Sequence, residues 1–127
     1  GIDFSESSEN AFVETLRIWA EIIEGGHFPE SINLEDIVKI GPKFGRGLKR
    51  ANLTDEQIQQ VAMKFGQGLV FIRFFKGQGQ WHYAGAGVKL GDGSKPIFWY
   101  QPKDSQTWRV INGDLSVKDV APENLPQ

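Results

Sequence analysis

Glu21, Glu24 and His27 recur at intervals of three residues. Two carboxylates and an imidazole are donors that a divalent transition metal accepts. The three fall at the end of a helical pattern with no second histidine nearby, so a solvated helix end accounts for them better than a metal site. The other histidine, His82, lies between Trp81 and Tyr83 at the start of a β run. That setting reads as a hydrogen-bonded structural residue rather than a general base. A serine hydrolase needs a nucleophile on a Gly-x-Ser-x-Gly elbow, and the sequence has none. Asp92, Asp104 and Asp114 fall in expected turns, where aspartate bonds the local backbone. A catalytic pair, for instance His82 with one of these aspartates, would need them to converge in a pocket. No catalytic residue is assigned, and the chain is read as a non-enzyme.

Fifteen glycines raise the question of nucleotide loops. The stretch from Gly41 to Gly47 lacks the lysine and hydroxyl residue that end a phosphate loop. The stretch from Gly85 to Gly91 leads into another turn and a strand, so no helix N-terminus can meet a pyrophosphate. Both read as turns. Zero cysteine removes thiolate metal sites, disulfides and a cysteine nucleophile. No metal and no cofactor are expected.

Binding chemistry is more plausible than catalysis. Trp81, Tyr83, Phe98, Trp99, Tyr100 and Trp108 crowd the C-terminal half. Strand alternation sends Phe98 and Tyr100 to one face and Trp99 to the other. One face can be core. The other is either covered by protein or left open for sugar stacking, a peptide or assembly. The binding candidates are therefore Trp99, Tyr100 and Trp108. A second candidate patch comes from charge. Residues 1–36 hold nine acids and one base, whereas residues 37–50 hold five bases and no acid. Such a run either complements the acidic first helix or docks an acidic partner, with Arg46, Lys49 and Arg50 as its residues. The formal net charge of −2 argues against a nucleic-acid binder.

These residues need elements to hold them. Phe12, Leu16, Trp19 and Ile23 set the stripe of an amphipathic helix over 9–24, capped by Ser7 or Ser8 and ended by Gly25-Gly26. Glu9 falls in its first turn, where the helix dipole favours negative charge. A short helix is expected over 34–40. Over 42–53 Pro42 favours a helix start, whereas Gly45 and Gly47 oppose one. Thr54 with Gln57 forms a capping box. Ile58, Val61, Phe65, Leu69 and Ile72 continue it as a helix, against a strand alternative for 69–75. Gly66 and Gly68 inside it suit close packing on the first helix. Strand candidates cover 81–84, 88–90, 97–101, 107–111 and 115–120, with Asn112-Gly113 as a tight turn. The expected fold is α+β in a single domain over 1–127. Helices over about 8–76 pack on an antiparallel meander over about 80–120, and a tail follows over 121–127.

Two stretches carry a resemblance. ETLRIWAEIIEGGHFPESI, residues 14–32, is a helix, a glycine stop and Phe-Pro; PIFWYQPKDSQTWRVINGDLSV, residues 96–117, is an aromatic strand, a polar turn and a second strand. Together they resemble the soluble part of type II secretion pseudopilins. They also resemble a module of exported or membrane-anchored bacterial proteins, some associated with extracytoplasmic-function sigma factors. The resemblance implies an extracytoplasmic, non-enzymatic domain. A pseudopilin's long hydrophobic N-terminal helix has no counterpart in the 127 residues, and no run of about 18 apolar residues occurs. Gly1 in place of Met has the look of a cleavage scar. Ile2 onward is thus expected to be a piece of a longer protein with its anchor upstream. The functional expectation is a module making protein–protein contacts, with a small-ligand or saccharide binder as the alternative.

Overall fold

A computed structural model describes residues 6–33, 35, 39–75, 80–102 and 104–126. Helix α1 spans Glu6–Ile18 and continues as a π turn over Trp19–Ile23. The turn is closed by Glu24 N–H donating to Trp19 O at 2.9 Å and Gly26 N–H to Ala20 O at 2.7 Å. Gly25 and Gly26 then take φ of 78° and 123°, where a β-carbon would be strained. Ser7 and Ser8 lie inside α1, so neither is its cap. The helix expected over 34–40 falls largely on positions 34 and 36–38, outside the described residues.

Helix α2 covers Gly41–Ala51, with Pro42 in its first turn and Asn52 ending it at φ 54°. It forms despite Gly45 and Gly47 because packing outweighs propensity. A β-carbon on Gly47 would sit 2.1 Å from Ile22 O, so the glycine lets α2 lie directly on the π turn. Helix α3 covers Asp55–Phe75 and settles 69–75 as helix. Its capping box is made on both sides: Thr54 N–H donates to Gln57 Oε1 at 2.9 Å and Gln57 N–H to Thr54 Oγ1 at 3.2 Å. α3 packs along α1. The Thr15 hydroxyl donates to Phe65 O at 3.1 Å, and Gly68 fits against Thr15 and Ala11.

Strands β1 (Trp81–Tyr83), β2 (Pro96–Tyr100), β3 (Trp108–Asn112) and β4 (Val117–Val120) form one antiparallel sheet in sequence order. The fold is α+β, with the helices N-terminal to a meander. Val88–Leu90 is not a strand of this sheet. It pairs instead with the segment after the π turn, through a bridge from Lys89 to His27 and bonds from Phe28 N–H to Val88 O and Leu90 N–H to Gly26 O. Asn112-Gly113 does turn the chain, but the left-handed residue is Leu115, at φ 68°. Leu115 N–H donates to Asn112 O, and Asn112 N–H donates to Ser116 O.

The register assigns each face. Tyr83, Phe98, Ile111 and Val117 form a row toward the helices, beside Trp81, Tyr100, Arg109 and Asp119. Phe12 of α1 meets Phe98 edge-on at 4.8 Å, and Trp19 and Phe44 meet Phe65 at 5.7 and 5.0 Å. One apolar cluster thus joins α1, α2, α3 and the sheet. The opposite face carries His82, Trp99, Val110 and Lys118. Residues 121–126, with a 3-10 turn over Pro122–Asn124, border that face across a cleft of about 430 Å³.

Candidate functional site

Two of the three aromatic candidates, Trp99 and Tyr100, are buried and offer no binding surface. Trp99 is 8% exposed and Tyr100 5% exposed. β2 is covered on both faces, because the helices take Phe98 and Tyr100 while His82 lies over Trp99 at 4.6 Å between ring centres. Trp108 is half-buried at the end of β3. Sugar stacking on Trp99 and Tyr100 therefore lacks an accessible ring face.

Tyr100 serves a polar knot instead. Glu9, 4% exposed on α1, reaches the row of Tyr100, Arg109 and Asp119. Arg109 Nε donates to Glu9 Oε2 at 2.9 Å, and its Nη2 donates to Oε1 at 2.6 Å. The Tyr100 hydroxyl donates to Oε2 of the same carboxylate. Arg109 Nη1 donates to Asp119 at 3.0 Å. The paired geometry suits a planar guanidinium. Hydrogen bonding to Glu9 chiefly raises the Arg109 pKa, with Asp119 adding to it. This knot fastens α1 to the sheet, and Glu9 has a bonded role beyond its place in the first turn.

The basic candidates divide. Lys43 donates to Glu24 at 3.0 and 3.1 Å, and Arg50 Nη2 donates to Ile22 O at 3.3 Å. To that extent the basic run complements the end of the first helix. Arg46 and Lys49 are exposed and have no ion-pair partner among the described residues. Helical spacing groups Arg46, Lys49 and Arg50 on the side of α2 opposite Phe44 and Leu48.

A polar cleft of about 550 Å³ opens beside the π turn. Trp19, Glu24, His27, Glu30, Lys39 and Lys43 are on its wall. π turns occur often at functional positions. Trp19 is 1% exposed, yet its Nε1–H is the one buried side-chain donor without an acceptor among the described residues. Such an orphan costs about 1–3 kcal/mol. The His27 ring meets Phe28 O through Nδ1 at 3.1 Å. That bond requires Nδ1 to donate, which leaves Nε2 as the acceptor of the neutral ring. The signal missed in the sequence was Trp19, which followed helical spacing and so read only as core.

The remaining chemical candidates are engaged locally. Glu21 is held by Arg17 at 2.8 Å and Glu24 by Lys43, so the carboxylates once grouped with His27 point to different partners. No metal-binding group of three occurs among the described residues. Asp92 accepts from the Ser94 hydroxyl and amide, and Asp114 from those of Ser116. The serine hydroxyls chiefly hold both carboxyls below the ordinary aspartate pKa. Asp104 occupies a turn at φ 63°.

Two tyrosines give the fold a pH limit. Burial, assisted by the Glu24 carboxylate, pushes Tyr83 well above the ordinary value of 10.0. Burial and the bond to Glu9 do the same for Tyr100. A raised folded-state pKa means the unfolded chain ionises first. This stabilisation is complete below pH 10 and is lost as pH rises toward the folded value. The melting temperature should therefore fall steadily from about pH 10 upward. Tyr83→Phe removes the hydroxyl's 2.5 Å bond to Pro29 O. It should cost about 1 kcal/mol at neutral pH and make the alkaline decline shallower. Calorimetry across the range checks both signs; an unchanged alkaline slope in the variant would contradict the assignment.

Compared with protein families, curated proteins and solved structures, the chain finds no match.

Proposed function

We propose that this chain is a non-catalytic, extracytoplasmic module of a secreted or membrane-anchored bacterial protein, and that it makes protein–protein contacts. The observation that supports contact-making is the outer side of α2. Arg46 and Lys49 are exposed and unpaired there among the described residues, beside Arg50. Cations on a rigid, packed helix favour an acidic partner surface, chiefly through the rate of encounter. The resemblance of residues 14–32 and 96–117 to pseudopilin soluble parts supports the extracytoplasmic placement.

Two measurements test it. The full-length native protein should fractionate with the membrane or the exported proteins; recovery in the cytosol would remove the extracytoplasmic part. A photo-crosslinker at Lys49 should give one discrete adduct in cells, and a crosslinker at Gln59 should not. In the chain that carries the crosslinker at position 49, Arg46→Glu should slow formation of that adduct severalfold, and added salt should slow it where Arg46 is retained. Equal adduct yields from both positions, or indifference to charge reversal, would overturn the contact face.

A further inference from the structure

We propose that the cleft beside the π turn binds a small zwitterion of the amino-acid class, with its carboxylate on Trp19 Nε1–H and Lys39 and its ammonium group on Glu30. The cleft volume, about 550 Å³, is in the range of small-molecule sites. Its charged groups balance in sign: Lys39 and Lys43 against Glu24 and Glu30. Lys43 and Glu24 already satisfy each other at 3.0 Å. Lys39 and Glu30 are exposed and have no ion-pair partner among the described residues. Among the described residues, one unpaired cation and one unpaired anion therefore border the same opening.

The Trp19 indole makes this more than a charged surface. Its Nε1–H is buried without an acceptor among the described residues, and Trp19 is on the cleft wall. Buried donors are almost always paired, and a ligand acceptor in the cleft would pair this one. A carboxylate oxygen is such an acceptor, and Lys39 supplies its counter-charge. A simple anion would leave Glu30 unanswered, and a simple cation would leave the indole so. A zwitterion answers both. The wall also includes Pro29 and Ile40, an apolar surface for a short side chain. This inference is independent of the partner face on α2.

The test is a titration of the whole chain followed by the indole N–H resonances of the four tryptophans. Glycine, L-alanine, L-leucine, L-glutamate and L-lysine are added separately, with acetate and methylammonium as half-ligands. At least one amino acid should move the Trp19 signal saturably at about millimolar concentration or below. Lys39→Ala and Glu30→Gln, both at exposed positions, should each weaken that binding about tenfold. Trp19→Phe identifies the signal. Absence of a saturable shift with any of the five would overturn the proposal. So would acetate binding as tightly as the amino acids, with Glu30→Gln having no effect, because the site would then hold a bare carboxylate.

Discussion

Gly68→Ala is expected to destabilise the fold by about 3 kcal/mol, at the upper end of overpacking effects. The added carbon would lie 1.7 Å from Thr15 Oγ1, 2.4 Å from Thr15 Cβ and 2.6 Å from Ala11 O. The hydroxyl can rotate away, but the Thr15 Cβ and the Ala11 backbone cannot. The two helices must part, and the Thr15 bond to Phe65 O goes with them. Gly66→Ala, two positions earlier in the same helix, has the opposite sign. Nothing lies within 4 Å of its new carbon, so helix propensity acts alone and adds about 1 kcal/mol. Thermal melts of the two variants should move apart by about 10 °C or more for a domain of this size. If both variants melt together, α1 and α3 are not in the close contact described.

Arg109→Met is expected to cost about 3 kcal/mol. It leaves the Glu9 carboxylate, 4% exposed, with the Tyr100 hydroxyl as its remaining partner in the knot. Removing one member of a buried ion pair typically costs 3–5 kcal/mol. The lower end applies because the Arg109 side chain keeps 28% of its exposure. The sharper expectation concerns the pair. Adding Glu9→Leu to Arg109→Met should restore about half of the loss, since a buried ion pair replaced by apolar residues is often near neutral. Urea unfolding of the four members of the cycle measures the coupling. Simple additivity of the two single losses would mean that the carboxylate and the guanidinium do not act as a unit.

The sequence revealed local structure well where the signal was local. The Thr54 and Gln57 box, the stripe of α1 and the Gly25-Gly26 stop all involve neighbours within a turn, and each is present. The order of helices then meander followed from the same signals. What stayed hidden depended on distant residues. Gly45 and Gly47 look alike as helix weakeners, and only the approach of Ile22 shows why Gly47 is there; of Gly66 and Gly68, both expected to pack closely on the first helix, Gly68 does so at Thr15 and Ala11, whereas Gly66 has nothing within 4 Å. Val88–Leu90 has β composition, but its partner is the segment at His27, not the meander. Trp99 alternates as a surface residue would, and only the His82 ring and the burial of β2 remove it from solvent. In the basic run, sequence named Arg46, Lys49 and Arg50 together. Structure separates Arg50, which caps a carbonyl of the π turn, from the other two.

The Glu9–Arg109 clamp joins positions 100 residues apart, and that separation has a consequence in time. A ribosome adds about 5–20 residues per second, so the carboxylate waits roughly 5–20 s for its guanidinium to be made. α1 can pair with α3 only in the later part of that interval, once residues 55–75 are made, and Glu9 still lacks its guanidinium then. The nascent chain thus holds a helical half whose sheet-facing side is open, and the third strand closes it. The contact that fastens α1 to the sheet is therefore among the last that the growing chain can complete.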